Sequence, residues 1–311
     1  MHTDTKHRFP CLRLRDLKPV SSKASRKAGA IACCAVLLSF IVILAGCGGG
    51  SSSPSPTPAP TPTPDGSFAP AASLPTMNQG RDSATATLLP NGKVLVAGGR
   101  TLGHTGSIVS LASVELYDPA TNTFAPPGST PTMNQSRASA TATLLPSGKV
   151  LIAGGVSIPG DGAVITLTSV ELYDPATNTF APPGSTPSMN QARAVFGGNT
   201  DVVAVLLSNG KVLIAGGLDP SVVGLNTVDL YDPTTNTFAP AASLPTMNGH
   251  RDRPVGTSLP NGGALIAGGF ERYMLPLMNQ TRLFATATLL PNGKVLIAGG
   301  GLLLNTIELY T

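Results

Sequence analysis

Few side chains of this 311-residue chain could do chemistry, and they do not form a catalytic set. Beyond residue 47 the only histidines are His104 and His250, whose spacing does not suggest a metal site. The four cysteines all lie at or before Cys47, so no thiol nucleophile and no disulfide is available further along the chain. We therefore predict no catalytic residue, no metal site and no cofactor.

One cationic side chain recurs along the chain and is a candidate for contact with a ligand. An arginine follows a Met-Asn pair at constant spacing in five places, which are Arg81, Arg137, Arg193, Arg251 and Arg282. The alternative is that each guanidinium group binds backbone carbonyl groups of neighbouring units. An arginine in every unit is what such a requirement of the fold would produce, so we favour the alternative and keep the five as candidates.

These arginines belong to a longer repeat that predicts four short strands. A segment such as ATATLL is followed by an Asn-Gly turn, a second strand ending in Gly-Gly, a variable loop, SVELYD, a DPATNT turn and TFAP. The Gly-Gly segment occurs five times, at 93–99, 149–155, 211–217, 263–269 and 294–300. Asn and Gly tolerate the positive φ of tight hairpins, so each unit is an antiparallel meander. Self-similarity at a fixed period indicates a repeat architecture, in which each unit stacks on its neighbours.

Two details favour a ring of such units over a sandwich. The first strand alternates alanine with threonine, which suits the crowded centre of a propeller. The last unit stops at Thr311 without its fourth strand, whereas residues 67–70 are an unpaired copy of that strand. We expect this N-terminal strand to close the ring. Gly269 is followed closely by Met278, so the fourth of about five blades is truncated; the alternative is a deletion product that closes poorly.

The repeats resemble the kelch family over about residues 68–311. The resemblance rests on the Gly-Gly pairs, on a tyrosine after a hydrophobic-acidic step (Glu115 and Tyr117) and on an aromatic residue seven positions later (Phe124). Phenylalanine stands where kelch repeats usually have tryptophan. The resemblance implies an all-β, kelch-type β-propeller, in which the corresponding arginines often line the mouth of the central channel. Galactose oxidase shares this central propeller fold, but its copper centre needs a cysteine cross-linked to tyrosine, which residues 67–311 lack.

The acidic residues of the repeat recur at one strand position, which does not suit a general acid and base. They are Glu115, Glu171, Asp229 and Glu308. We predict that they form hydrogen bonds between blades.

The N-terminal segment is typical of an export signal. A basic stretch precedes the apolar residues 28–46, and Leu44-Ala45-Gly46-Cys47 resembles the lipobox of bacterial lipoproteins. An uncleaved membrane anchor is the alternative. We predict a signal peptide at 1–46, a lipidated Cys47 followed by a Gly/Ser/Pro/Thr-rich linker to residue 66, and a propeller at 67–311. This places the protein outside the cytoplasm, lipid-anchored at the bacterial cell envelope.

Charge and loop variability bear on the partner. From residue 47 onward the chain has 12 Lys/Arg and 14 Asp/Glu, which does not favour binding to nucleic acid. The loops at 100–111, 156–168 and 218–226 vary in sequence, and they are expected on the same face as the arginines. Variable loops on one end of a rigid scaffold usually form binding sites. We predict a non-catalytic module that binds a protein or a glycan. The alternative is an extracellular carbohydrate-active enzyme on the same fold, which is supported only by analogy between folds.

Overall fold

The computed structural model describes residues 69–103, 106–193, 202–221, 223–269, 285–300 and 306–311. All of them lie in the compact unit Ser67–Thr311. The predicted signal peptide, Cys47, the linker and Phe68 lie outside the described residues, so these predictions stay predictions.

Within these ranges the chain forms 21 strands and two 3-10 helices, Ala71–Ser73 and Ala241–Ser243. The strands are β1 (Thr85–Leu88), β2 (Val94–Ala97), β3 (Arg100–Leu102), β4 (Ile108–Ser110), β5 (Val114–Asp118), β6 (Thr123–Phe124), β7 (Thr141–Leu144), β8 (Val150–Ala153), β9 (Val156–Ser157), β10 (Ile165–Thr166), β11 (Val170–Asp174), β12 (Thr179–Phe180), β13 (Val202–Leu206), β14 (Val212–Gly216), β15 (Val228–Asp232), β16 (Thr237–Phe238), β17 (Val255–Ser258), β18 (Ala264–Ala267), β19 (Thr286–Leu289), β20 (Val295–Ala298) and β21 (Ile307–Tyr310).

The sheets follow the repeat. Blade 1 has the order β1-β2-β5-β6, blade 2 β7-β8-β11-β12 and blade 3 β13-β14-β15-β16, all antiparallel. The last blade has three strands, β19-β20-β21, and a half-blade of β17 and β18 stands between it and blade 3. The first strands of successive units are neighbours in chain order. The predicted all-β propeller arrangement is therefore confirmed, with four blades of three or four strands. The truncated fourth unit is the half-blade.

Local turn chemistry sets the register of each blade. In blade 1, Gly92 has φ 81°, the Asn91 Oδ1 atom accepts from the Lys93 amide, and the hairpin pairs Leu88 with Val94. The second turn places Asn122 at φ 54°, where its Oδ1 atom accepts a hydrogen bond from the Tyr117 hydroxyl group at 2.9 Å. Asparagine and glycine adopt this left-handed region at little cost. The turns predicted from the sequence are thus the ones that form.

The core lies between the blades. Leu95, Ala97 and Val114 of blade 1 pack against Val150 and Tyr173 of blade 2, and blades 2 and 3 pack in the same way. The Gly-Gly pairs belong to this packing.

Gly98 has φ 64°, and a Cβ atom there would stand 2.3 Å from the carbonyl oxygen of Arg137. Only glycine, which has no Cβ atom, lets the connection between blades 1 and 2 approach the end of β2 so closely.

Candidate binding face

The four recurrent arginines that the structure describes directly precede blades 1, 2 and 3 and the half-blade, and their side chains point into the unit that follows. The Nη1 atom of Arg137 donates to the carbonyl oxygens of Gly154 at 2.9 Å and Ser169 at 3.1 Å, and Nη2 donates to Glu171 at 3.3 Å. Arg81 makes the equivalent bonds in blade 1. In blade 3 the Nη1 atom of Arg193 donates to two equivalent carbonyl oxygens. The side chains of all three arginines are only 1% exposed.

The main chain of Arg137, Arg193 and Arg251 is bonded to the preceding blade. The carbonyl oxygen of Arg137 accepts from the Gly99 amide at 2.9 Å, and its own amide donates to Leu111 at 3.1 Å. Arg193 and Arg251 accept in the same way from Gly155 and Gly217. Each of these arginines therefore joins two successive units, by its backbone on one side and by its side chain on the other.

The acidic residue of each complete blade holds the connection that carries the arginine. Glu115 accepts from the amides of Asn78 at 2.7 Å and Gln79 at 3.0 Å, and from Arg81 at 2.8 Å. Burial alone would raise the pKa of Glu115, but these donors outweigh it and hold the pKa below its ordinary value. Burial lowers the pKa of Arg137, and the charge of Glu171 opposes this shift. The predicted hydrogen-bonding role between blades is confirmed for Glu171 and Asp229, whose partners lie in the connections from the preceding blades. The partners of Glu115 lie in the segment before blade 1.

The five candidate arginines are thus placed as follows. Arg81, Arg137 and Arg193 have their guanidinium groups occupied by carbonyl and carboxylate partners, as the favoured interpretation predicts. Arg251 donates to the carbonyl oxygen of Gly268 in the half-blade. Arg282 lies outside the described residues. A contact between any of the five and a ligand stays a prediction that no contact in the structure tests.

The variable loops form hairpins of their own on the side where the connections run. The strands β3 and β4 pair with each other, as do β9 and β10. The two hairpins are joined, because the Ser110 amide donates to the Ile158 carbonyl at 2.9 Å and the Ile158 amide donates to Ser110 Oγ at 2.8 Å. Ser110 Oγ also lies 2.7 Å from Ser136 Oγ in the connection between blades 1 and 2. Loops of neighbouring blades are therefore held in one arrangement.

These hairpins expose aliphatic side chains, and we call the surface they form the hairpin face. Leu102 is 72% exposed and pairs across the hairpin with Ile108, which is 45% exposed. The exposed Val164 and Ile165 lie in the second hairpin, and the exposed Val223 lies in the corresponding loop of blade 3. The sequence predicted the variable loops but not that their aliphatic side chains are exposed. The signal available in the sequence was the presence of apolar residues within glycine-rich loops. Exposed aliphatic groups on fixed hairpins are typical of an interaction surface.

Other kinds of site find no support among the residues that the structure describes. In those ranges, no three His, Cys, Asp or Glu side chains are grouped as a metal would require. No helix formed by the described residues has the length and hydrophobicity needed to cross a membrane.

Comparison with known proteins agrees with the repeat and the fold. The kelch motif family model matches residues 203–245. The solved structure of YjhT has a TM-score of 0.51 to this chain at 17% identity, covering 74% of this chain and 80% of that one. At this identity the likeness concerns the fold alone. No curated protein matches the sequence. The kelch resemblance predicted from the repeats is confirmed.

Proposed function

We propose that this kelch-repeat β-propeller is a non-catalytic binding module, tethered at the bacterial cell envelope, whose hairpin face binds a protein or a glycan. The observation that carries the proposal is the cross-strand pair of Leu102 and Ile108, exposed on hairpins that Ser110 joins across two blades. Kelch propellers generally bind proteins. Fixed loops cost little entropy to order on binding, which favours affinity.

The tether is proposed from the sequence. The lipobox-like Leu44-Ala45-Gly46-Cys47 precedes a Gly/Ser and Pro/Thr linker, which acts as a semi-rigid spacer. A lipid on Cys47 and this spacer would hold the propeller near a membrane. A single acyl chain binds membranes only marginally, so stable anchoring rests on the several chains of a bacterial lipoprotein or on a second contact.

We also propose that residues 67–70 complete the last blade. In blades 1, 2 and 3 the alanine after the fourth strand donates to the third strand, as Ala125 does to Leu116 at 2.8 Å. The equivalent residues here are Ala69 and Leu309, and both are exposed. The Ser73 amide bonds to the Pro70 carbonyl just as Ser129 bonds to Pro126, so the chain after residue 70 repeats the turn that follows a fourth strand.

The binding proposal is tested with the full-length protein purified from membranes. It is screened against envelope proteins and a glycan array, beside a panel of oxidase and hydrolase substrates. We expect a ligand whose binding is lost in Leu102→Ser/Ile108→Ser but kept in Leu74→Ser, a matched change at a residue that is 53% exposed and lies outside the hairpin face. Turnover that survives repurification, or binding unaffected by the double substitution, would overturn the proposal.

A further inference from the structure

We propose that blade 3 carries a second binding site, which takes a threonine or serine that precedes proline in an extended peptide. The site is a cavity of about 210 Å³ between β15 and the connection that leaves the blade. Its lining includes Gln191 before the blade, Thr227 and Val228 at the start of β15, and Leu244 and Pro245 in the connection. Pockets for drug-sized molecules are larger, roughly 300–1,000 Å³. The cavity therefore suits a single side chain with its immediate neighbours.

In blades 1 and 2 the equivalent place is closed by a threonine side chain. The Thr130 Oγ1 atom donates to the carbonyl oxygen of Val114 at 2.8 Å, and blade 2 has the same bond at 2.9 Å. Val114 is the first residue of its third strand, as Val228 is in blade 3. The repeat places Leu244 where Thr130 stands in blade 1. Because leucine has no hydroxyl group, the carbonyl oxygen of Val228 lacks the donor that closes the other two blades.

The main chain of this connection also makes fewer contacts with blade 3 than its equivalents make with their blades. A β-bridge joins Ser113 to Thr132 in blade 1, and blade 2 has the equivalent bridge. Among the described residues, no bridge joins the corresponding Thr227 and Thr246. The connection is bonded to the blade again at Met247, whose amide donates to the carbonyl oxygen of the residue before Thr227 at 2.7 Å. The opening is therefore confined to the few residues before Met247 and follows from a local change of sequence.

The polar groups at the cavity suit a neutral ligand. Arg193 belongs to the lining, but Nε donates to Asp229 and both Nη atoms donate to other atoms of this chain, so it offers no free charge. The Gln191 Oε1 atom accepts from the Thr227 hydroxyl group at 2.7 Å. Within the described part of the chain, the side-chain nitrogen of Gln191 has no hydrogen-bond partner. The site thus combines an amide donor on Gln191 with a carbonyl acceptor on Val228.

A threonine side chain of a partner protein fits these groups. Its hydroxyl group donates to the Val228 carbonyl oxygen and accepts from Gln191. Its methyl group packs on Leu244 and Pro245. The same side chain already binds the equivalent carbonyl oxygen in blades 1 and 2, where the next residue is proline. Proline favours an extended conformation of the residue before it, and a preformed extended segment costs little entropy to bind. The chemistry therefore selects a neutral Thr-Pro or Ser-Pro segment.

A glycan is the competing occupant, because a sugar hydroxyl group can donate to the same carbonyl oxygen. None of the residues that line the cavity is aromatic, so a sugar ring has no platform on which to stack. The observed bonds in blades 1 and 2 are made by threonine, which favours the peptide. No side chain of the hairpin face lines the cavity, so this inference does not rest on the function proposed above.

The test uses the full-length protein in detergent and a fluorescent peptide with the sequence of residues 128–134, Gly-Ser-Thr-Pro-Thr-Met-Asn. Fluorescence anisotropy measures the affinity. We expect this peptide to bind. A form with valine in place of the first threonine nearly keeps the shape but lacks the hydroxyl group, and we expect it to bind about fivefold more weakly. Equal affinity of the two peptides, or no binding of either, would overturn the proposal.

A double variant of the protein closes the site from within. Leu244→Thr restores the threonine of blades 1 and 2. Leu74→Thr is added because residues 70–78 have the same sequence as residues 240–248 and would form the same cavity beside a completed last blade. We expect the double variant to keep its melting temperature and to bind the peptide about tenfold more weakly, whereas Leu102→Thr on the hairpin face binds it as the wild type does.

Three outcomes with these variants would contradict the proposal. They are unchanged peptide affinity of the double variant, loss of peptide binding in Leu102→Thr, and loss of a glycan rather than of the peptide in the double variant. Binding to the hairpin face is measured with the same proteins, so that failure of this site and failure of the proposed function are distinguished.

Discussion

Arg193 and Asp229 form a buried ion pair in which Nε donates to Oδ2 at 2.8 Å, with side chains 1% and 0% exposed. In blades 1 and 2 the acid is glutamate, which reaches Nη2 instead. The Nε atoms of Arg81 and Arg137 then have no hydrogen-bond partner. The shorter aspartate therefore satisfies its arginine more completely. Because these pairs fix the connections between blades, their energetics determine how firmly the hairpin face is held.

Breaking the Arg193–Asp229 pair is expected to destabilise the propeller strongly. Asp229→Asn leaves a buried guanidinium group without its counter-charge, which costs about 3–5 kcal/mol in typical buried pairs. The measurement is the urea midpoint of unfolding. Lys211→Gln, which removes the half-exposed partner of Asp232, is the control and is expected to have a much smaller effect. Similar midpoints for the two variants would contradict this prediction.

Stability is expected to fall in acid, partly through Glu115. Its pKa is lower in the folded state than its ordinary value of 4.5. A carboxylate with a depressed folded pKa contributes stability above its unfolded pKa, and this contribution is lost as the pH falls through the folded pKa. Glu115→Gln is therefore expected to be less stable at neutral pH and to depend less on pH below about 4.5. Urea titrations across this range measure the difference; parallel curves for the two proteins would show that Glu115 does not contribute.

Gly98→Ala is expected to separate blades 1 and 2. The new Cβ would meet the Arg137 carbonyl oxygen at 2.3 Å, in a backbone with φ 64°. Gly106→Ala is the matched control, since Gly106 has φ 77° but nothing within 4 Å of the added atom. The control should lose about 1–2 kcal/mol from the backbone conformation alone, and Gly98→Ala distinctly more. Equal losses of thermal stability would mean that the close approach is not a constraint.

Deleting residues 67–70 is expected to lower the melting temperature far more than deleting four residues of the Pro/Thr linker. The first deletion removes the strand proposed to pair with β21, and an unpaired strand edge remains. The second deletion only shortens a spacer. Melting is followed by circular dichroism. If the two deletion variants have the same melting temperature, residues 67–70 do not complete the last blade.

Cys47→Ser is expected to abolish lipidation and release the protein from the membrane fraction, because the lipid is the proposed anchor. Metabolic labelling with palmitate and fractionation of cells measure both effects. Substitution of Cys33, which lies within the predicted signal peptide, is the control and should change neither. Persistent membrane attachment of the Cys47 variant with normal processing would favour an uncleaved anchor instead.

The strands and turns of the repeat follow from the sequence by itself, because their causes are local. Asn91-Gly92 selects a tight hairpin, and alternation around it sets which residues face the next blade. Repetition of the unit then predicts stacking. The position of the variable loops on one face follows from the same alternation of turns.

The tertiary structure alone decided which partners the arginines bind and how the loops are held. Arg137 donates to residues 17 and 32 positions away, so its burial depends on how two blades meet. Ser110 joins two hairpins through a hydrogen bond from Ile158, which is 48 positions away. Met77 has the same residue type as its equivalents before blades 2 and 3, which are 4% exposed, yet Met77 is 37% exposed. Such properties arise from the packing of distant segments, and no local pattern encodes them.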